Sequence, residues 1–491
     1  MNIDGNKTET VRKNVSSNLF WRLLERFGAQ GVTLIVSIVL ARVLDPEVYG
    51  TVALVIVITT ILQVFVDSGL GTALIQKKDA DDLDFSTVFF ANIVLCLFIY
   101  ALLFFTAPFF SLFYENDELT ALIRVLGLLV IISGFKNIQN AYVSRNLLFK
   151  KYFFATLGGT VVAGICGIWM ALSGYGVWAL IIQNLVNQTI DTIILWLIVK
   201  WRPRFIFSWE RLKSLFSYGW KLLVATLLDT IWREIRQLII GKQYTSEDLA
   251  FYNKGEEYPK YATVALNSSI DSVLLPTLSN EQDDILRVKS MTRRAIKVSA
   301  FCLWPILVGI AVCGNSFVSL VLTDKWLPIV PFLQVFCIVY AFYPIHTANL
   351  NAIKAVGKSN YFLVMEIIKK ICGLIIIVST LWFGVMWIAL GVLIGNFVSV
   401  VVNSWPNKKL LGYTIRQQIM DVLPTLLLNV IMGCCVYSIT FFDLNNLITL
   451  IIQIPLGIAI YIIGAIISKN DSFVYCVGII KDLFGRKTKS Q

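Results

Sequence analysis

Residues 18–50 read NLFWRLLERFGAQGVTLIVSIVLARVLDPEVYG. The second half is an apolar run long enough to cross a bilayer at about 1.5 Å per residue. Before that run begins, the stretch carries Arg22, Glu25 and Arg26. Continued at helical spacing, Arg22, Arg26, Gln30, Thr33 and Ser37 form one polar stripe on an otherwise apolar rod. Lipid does not accept such a stripe, so it belongs against a protein interior or a wet cavity. The design recurs later in the chain. Trp21-Arg22-Leu23-Leu24 is echoed by Trp220-Lys221-Leu222-Leu223, and Arg42, Glu47 and Gly50 are echoed 200 positions on by Lys242, Glu247 and Ala250. A chain that starts over in this way, with charge inside a spanning helix both times, predicts two lobes around a polar cleft.

Composition supports the reading. The 491 residues are 57% hydrophobic and 15% charged, with a mean hydropathy of +0.73, whereas a soluble protein carries about 25% charged residues. The expected class is all-α and polytopic, with about fourteen spans near 18–44, 48–75, 84–108, 119–143, 152–173, 176–199, 211–241, 256–280, 291–322, 330–356, 359–381, 384–405, 418–441 and 445–467. The organisation follows as a polar N-terminal arm (1–17), a first six-helix lobe (18–199), a basic linker containing KWRPRF (200–210), a second lobe (211–405), a terminal helix pair (406–467) and a basic amphipathic tail (468–491). The first apolar run has no small-residue cleavage site after it, so it is expected to be an uncleaved anchor.

The net charge of +11 raises nucleic acid as a partner, and the placement of the cations decides against it. On this assignment 28 of the 42 Lys and Arg residues fall on the side of the two termini and five on the other. That is the positive-inside pattern, with both termini cytoplasmic. Among the five outer cations is Lys254. The nine cysteines show no metal or disulfide spacing, and no metal site is expected. The outer loops are too short for catalytic acids and bases, so an enzyme is not expected.

Other spans repeat the polar-stripe device. Thr59, Gln63 and Asp67 share a face in the second span, as do Ser133, Lys136, Asn137, Asn140 and Ser144 in the fourth and Gln183, Asn187 and Asp191 in the sixth. The seventh is the most charged, with Lys221, Asp229, Arg233, Glu234 and Arg236. The eighth brings Asn267 and Asp271, the eleventh Glu366, Lys369 and Lys370, and the twelfth Asn396, Ser399 and Asn403. His346 is the only histidine, and a packed or hydrogen-bonded role suits it better than titration.

Six motifs then carry a resemblance over nearly the whole chain: LARVLDPEVYGTVAL at 40–54, VDSGLGTALIQKKD at 66–79, GYGVWALI at 174–181 with WRPRF at 201–205, LLPTLSNEQDD at 274–284 and KAVGKSNY at 354–361. In this order and spacing the chain resembles the Wzx-type polysaccharide and O-antigen flippases of the MOP exporter superfamily, whose fold is MATE-like, in the branch of colanic- and teichuronic-acid exporters. The resemblance implies translocation of an undecaprenyl-diphosphate-linked oligosaccharide by alternating access, driven by a proton or Na+ gradient and without a bound cofactor. It also implies the polysaccharide polymerase machinery as a partner. The alternative on the same fold is a multidrug/ion antiporter.

A diphosphate-linked sugar needs cations for its anionic joint and amides or hydroxyls for its head. The cations expected to line such a path are Arg22, Arg26, Lys136, Lys221, Arg233, Arg236, Lys369 and Lys370. Each costs about 2.5–3.5 kcal/mol at a helix centre on insertion scales, so the competing reading is internal pairing with Glu25, Asp229, Glu234 and Glu366. The acids expected to take a coupling proton are Glu25, Asp229 and Asp271. The Asn and Gln faces fit sugars and interhelical hydrogen bonds equally well.

Overall fold

The computed structural model describes residues 28–487 apart from Ser68, Leu147 and Ser359. The expected site residues Arg22, Glu25 and Arg26 lie outside the described residues. Among the described residues there is no strand, and contacts gather into two units, 1–250 and 251–491.

The first unit contains α1 (Gly28–Val43), α2 (Pro46–Asp67), α3 (Leu70–Gln76), α4 (Asp82–Tyr114), α5 (Glu118–Leu126), α6 (Leu128–Arg145), α7 (Phe149–Leu172), α8 (Val177–Ile198) and α9 (Trp209–Gln243). α10 (Ser246–Asn280) crosses into the second unit. That unit continues with α11 (Ile285–Val312), α12 (Gly314–Val321), α13 (Ile329–Ala341), α14 (Tyr343–Ala355), α15 (Asn360–Thr380), α16 (Val385–Leu410), α17 (Ile415–Tyr437), α18 (Asn446–Ile467) and α19 (Asp471–Lys487). Each expected span coincides with one helix or a consecutive pair. Among the described residues, ten segments are long and apolar enough to cross a membrane by composition. α9, α10 and α15 fall short because their stripes carry the charges, and α1 is described over only part of its span.

Local chemistry sets the helix starts. Asp81 caps α4 in a reciprocal box with Asp84, and Thr414 does the same for α17 with Gln417. Ser208 caps α9 and Asp284 caps α11 by accepting from the backbone three residues on. The repeat seen in the sequence reappears as a shared break, with helix interrupted at Leu44–Asp45 and again at Tyr244–Thr245. At this break Gly50 of α2 lies against the backbone at the start of α10. A Cβ on Gly50 would sit 1.6 Å from the Ser246 carbonyl oxygen.

α9 packs on α2, α3 and α4, inside the first unit. Two glycines permit this: Gly69, with φ of 67°, brings its backbone against Gly219, and a Cβ there would lie 2.6 Å from the Gly219 carbonyl oxygen. The segment 200–210, expected as a linker between lobes, is fastened to α4 through Arg204 and Ser208. Ser86 accepts from the Arg204 amide at 3.0 Å and Thr87 from the Ser208 amide at 3.1 Å. Below it, Lys77 and Arg211 neutralise the fully buried Asp84 at 2.6 and 3.3 Å. The long apolar helices leave side chains such as Phe105 and Leu112 more than three-quarters exposed, as lipid-facing residues must be.

Candidate functional site

In the first unit α2, α3, α6 and α9 border a partly polar pocket of about 310 Å³. Its walls include Asp67, Asn137, Asn140, Ser144 and Thr226. Asn137 donates to the Val66 carbonyl at 2.8 Å, and the buried Asn140 Oδ1 has no partner. The stripe spacing placed Asn137, Asn140 and Ser144 on one face, and that face lines the cavity. One position earlier, Lys136 turns away towards α8. Its ammonium meets Asp191 at 2.5 Å and Gln188 Oε1 at 3.3 Å, and Gln188 in turn donates to Ser133 at 3.0 Å. α7 makes room for this by presenting Gly159, where a Cβ would lie 2.9 Å from Asp191 Cβ. Lys136 is therefore neutralised inside the protein, and Asp191 keeps one buried oxygen, Oδ1, unpartnered.

The other expected cations sort by what they touch. Lys221 and Arg233 on α9 are exposed and Arg236 is half-buried. Arg233 lies 3.7 Å from Asp229 one turn earlier, both side chains about 60% exposed, and also donates to Thr230 at 3.2 Å. Among the described residues neither Lys221 nor Arg236 has a carboxylate partner. On α15, Lys369 pairs with Glu366 at 2.6 Å, whereas the half-buried Lys370 has no such partner among the described residues. α9 therefore carries cations left open to an external anion. The Asp229 carboxylate sits among them and softens their charge without cancelling it.

In the second unit Asp271 on α10 accepts from the buried Asn351 of α14 at 2.7 Å, a partner that spacing alone did not suggest. His346 lies between two amides of α16. Asn396 Nδ2 donates to the Val339 carbonyl at 2.6 Å, so its Oδ1 accepts from His346 Nε2 at 2.7 Å, while Asn403 donates to Nδ1 at 3.0 Å. The ring is thus a neutral, packed connector. One turn on, Asn349, Ser404, Asn407 and Gln418 close a buried amide network joining α14, α16 and α17. The Asn face at 396–403 is engaged in bonds between helices. Lys254, expected in an outer loop, is instead buried within α10, 2.7 Å from Glu257, with Glu256 accepting from Tyr340 at 2.7 Å. The cluster was missed because Lys254 precedes the expected span at 256–280 and was counted with the outer loop.

These features define a multi-pass, all-helical membrane protein whose ionisable side chains sit at helix–helix contacts and on a cationic helix face. The chain belongs to the polysaccharide biosynthesis protein family, whose model matches residues 39–331. Its relatives include the teichuronic acid biosynthesis protein TuaB of Bacillus subtilis, 23% identical over 82% of this chain and 85% of the relative. The lipopolysaccharide biosynthesis protein WzxC of Escherichia coli is 22% identical over 86% and 88%. Among solved structures, the lipid II flippase MurJ in an inward closed conformation aligns with a TM-score of 0.76 at 17% identity, over 92% of this chain and 99% of that one. An inward-facing multidrug resistance MATE transporter of the MOP superfamily aligns at 0.60 with 16% identity, over 77% and 94%. The resemblance carried by the motifs is borne out, and so is the all-α polytopic fold.

Proposed function

We propose that the chain is a flippase that moves a lipid-linked oligosaccharide, joined through a diphosphate, across the bacterial cytoplasmic membrane by alternating access. The observation that carries this reading is the open cationic face of α9, where Lys221, Arg233 and Arg236 are not consumed by buried pairing. Each such cation in a spanning helix costs free energy that an anionic cargo repays. Relatives named for teichuronic acid, succinoglycan and lipopolysaccharide biosynthesis support a saccharide cargo. The lipid II flippase among the structural neighbours supports a lipid-linked one. A multidrug antiporter on this fold would favour an acidic lumen, so the cationic face speaks against that alternative.

In this reading the termini are cytoplasmic, the protein transports and does not catalyse, and no cofactor takes part. Asp229 and Asp271 are the described acids placed to respond to a coupling proton or Na+. The polymerase machinery receives the product. The test is complementation of polymer export by Arg233→Ala, Arg236→Ala and Lys221→Ala, normalised to membrane abundance. Loss of one charge-assisted contact of roughly 1.5–3 kcal/mol should slow export by about one to two decades, with partial rescue by lysine at the arginine positions. Unchanged export in the triple variant would exclude the reading.

A further inference from the structure

In the second unit the start of α11 and the start of α19 enclose a cleft of about 650 Å³. Four cations of α11 line it: Lys289, Arg293, Arg294 and Lys297. Among the described residues, Asp471 is the one carboxylate in its wall. The cations are held in place from behind. Arg293 makes a two-pronged bond to Asp421 at 2.7 and 2.6 Å, and Tyr413 donates to the same carboxylate at 2.8 Å. Lys289 donates to the Gly412 carbonyl at 2.7 Å. Lys297 lies between Asp421 and Asp471 at 3.8 and 3.6 Å. The Arg294 guanidinium sits over the Tyr475 ring at 5.1 Å, and among the described residues it has no carboxylate partner. Charge held in position without full neutralisation is what a phosphate group requires.

The cleft also has an apolar rim. Leu286 and Val474 line it and are 78% and 63% exposed. It lies where the apolar run of α18 ends at Ile467, 76% exposed, and the chain turns through Lys469, with φ of 48°, into α19. Cations and exposed aliphatic side chains thus share one cleft at the end of a membrane span, where headgroups and acyl chains meet. A free anion has no use for the aliphatic rim.

We propose that this cleft binds the phosphodiester headgroup of an anionic phospholipid, with its acyl chains against Leu286 and Val474, and that the bound lipid tethers α19 to the membrane. The proposal is independent of the cargo assigned above. It is tested on the full chain purified in detergent, by native mass spectrometry and by retention of labelled lipid. The probes are phosphatidylglycerol, phosphatidylcholine and inorganic phosphate. Phosphatidylglycerol should be retained at least about tenfold better than phosphatidylcholine, and Lys289→Gln/Arg294→Gln should lower its retention about tenfold, the worth of one charge-assisted bond. Arg294→Lys should retain it, and Lys408→Gln/Lys409→Gln, on α16, should bind as the unaltered protein does. Should the double variant fail to fold, Arg294→Gln alone is read, and a loss of about threefold is expected. Equal retention of the two lipids, undiminished binding in a folded Lys289→Gln/Arg294→Gln or Arg294→Gln protein, or full displacement of the lipid by millimolar inorganic phosphate would overturn the proposal.

Discussion

Lys136, one of the expected cations, and Asp191 form a deeply buried pair, at 2.5 Å with side chains 10% and 7% exposed. Lys136→Met would leave the Asp191 carboxylate with no cation and with Oδ1 already unpartnered. Asp191→Asn would leave an ammonium facing two amides. Breaking a buried pair from one side costs about 3–5 kcal/mol, because the surviving charge stays desolvated. At about 1.4 kcal/mol per decade, that lowers the folded population relative to the unfolded by two to three and a half orders of magnitude. Removing both charges with Lys136→Met/Asp191→Leu should return stability to within about 1 kcal/mol of the starting protein. The assay is thermal melting in detergent across the full double-mutant cycle. Strictly additive losses, or single variants that lose less than about 1 kcal/mol, would refute the pairing. Export measured on the stabilised double variant then separates roles. Full export makes the pair structural, and a folded but silent protein places one of the two charges on the transport path.

Two further outcomes follow from local geometry. Gly50→Ala should destabilise the protein by at least about 1–3 kcal/mol, since its Cβ would meet the Ser246 carbonyl oxygen at 1.6 Å; an unchanged melting temperature would show that α2 and α10 do not approach as described. Asp81 lies outside the spans, and the Asp84 backbone hydrogen bond first, with the Arg211 charge assisting, holds its carboxyl below the ordinary range. Its folded value is depressed, so its contribution is complete above the unfolded value and is lost as pH falls through the folded one. Asp81→Ala should therefore cost about 1 kcal/mol at neutral pH, with the gap to the unaltered protein narrowing below about pH 4; a gap constant with pH would remove the ionised cap.

Much of the fold was legible because membrane helices announce themselves through apolar length. The stripes at helical spacing also placed Asn137, Asn140 and Ser144 on the face that lines the first unit's cavity. Local pairings were legible for the same reason: Glu366 and Lys369 sit one turn apart, and Arg233 and Asp229 do too. Long-range choices were not. Nothing in the spacing says that Lys136 selects Asp191, 55 positions away, or that Asp271 selects Asn351, 80 away. The affiliation of α9 was equally hidden. The repeat marks it as the opening of a second half, yet its contacts run to α2, α3 and α4. Those contacts depend on missing Cβ atoms at Gly69 and Gly219 and on Leu54 filling the space beside Gly241. Such complementarity belongs to packed surfaces and leaves no periodic trace.

On the proposed function, an anionic, lipid-linked saccharide crosses the membrane along a path served by the α9 cations. Purified protein in liposomes loaded with a fluorescent diphosphate-linked oligosaccharide lipid measures this directly, by the fraction of label that becomes accessible to an external quencher over time. Rapid flipping is expected of the unaltered protein, slowed by about one to two decades in Arg233→Ala/Arg236→Ala, with no comparable movement of a cationic dye. Movement of the dye without movement of the lipid-linked saccharide would contradict it.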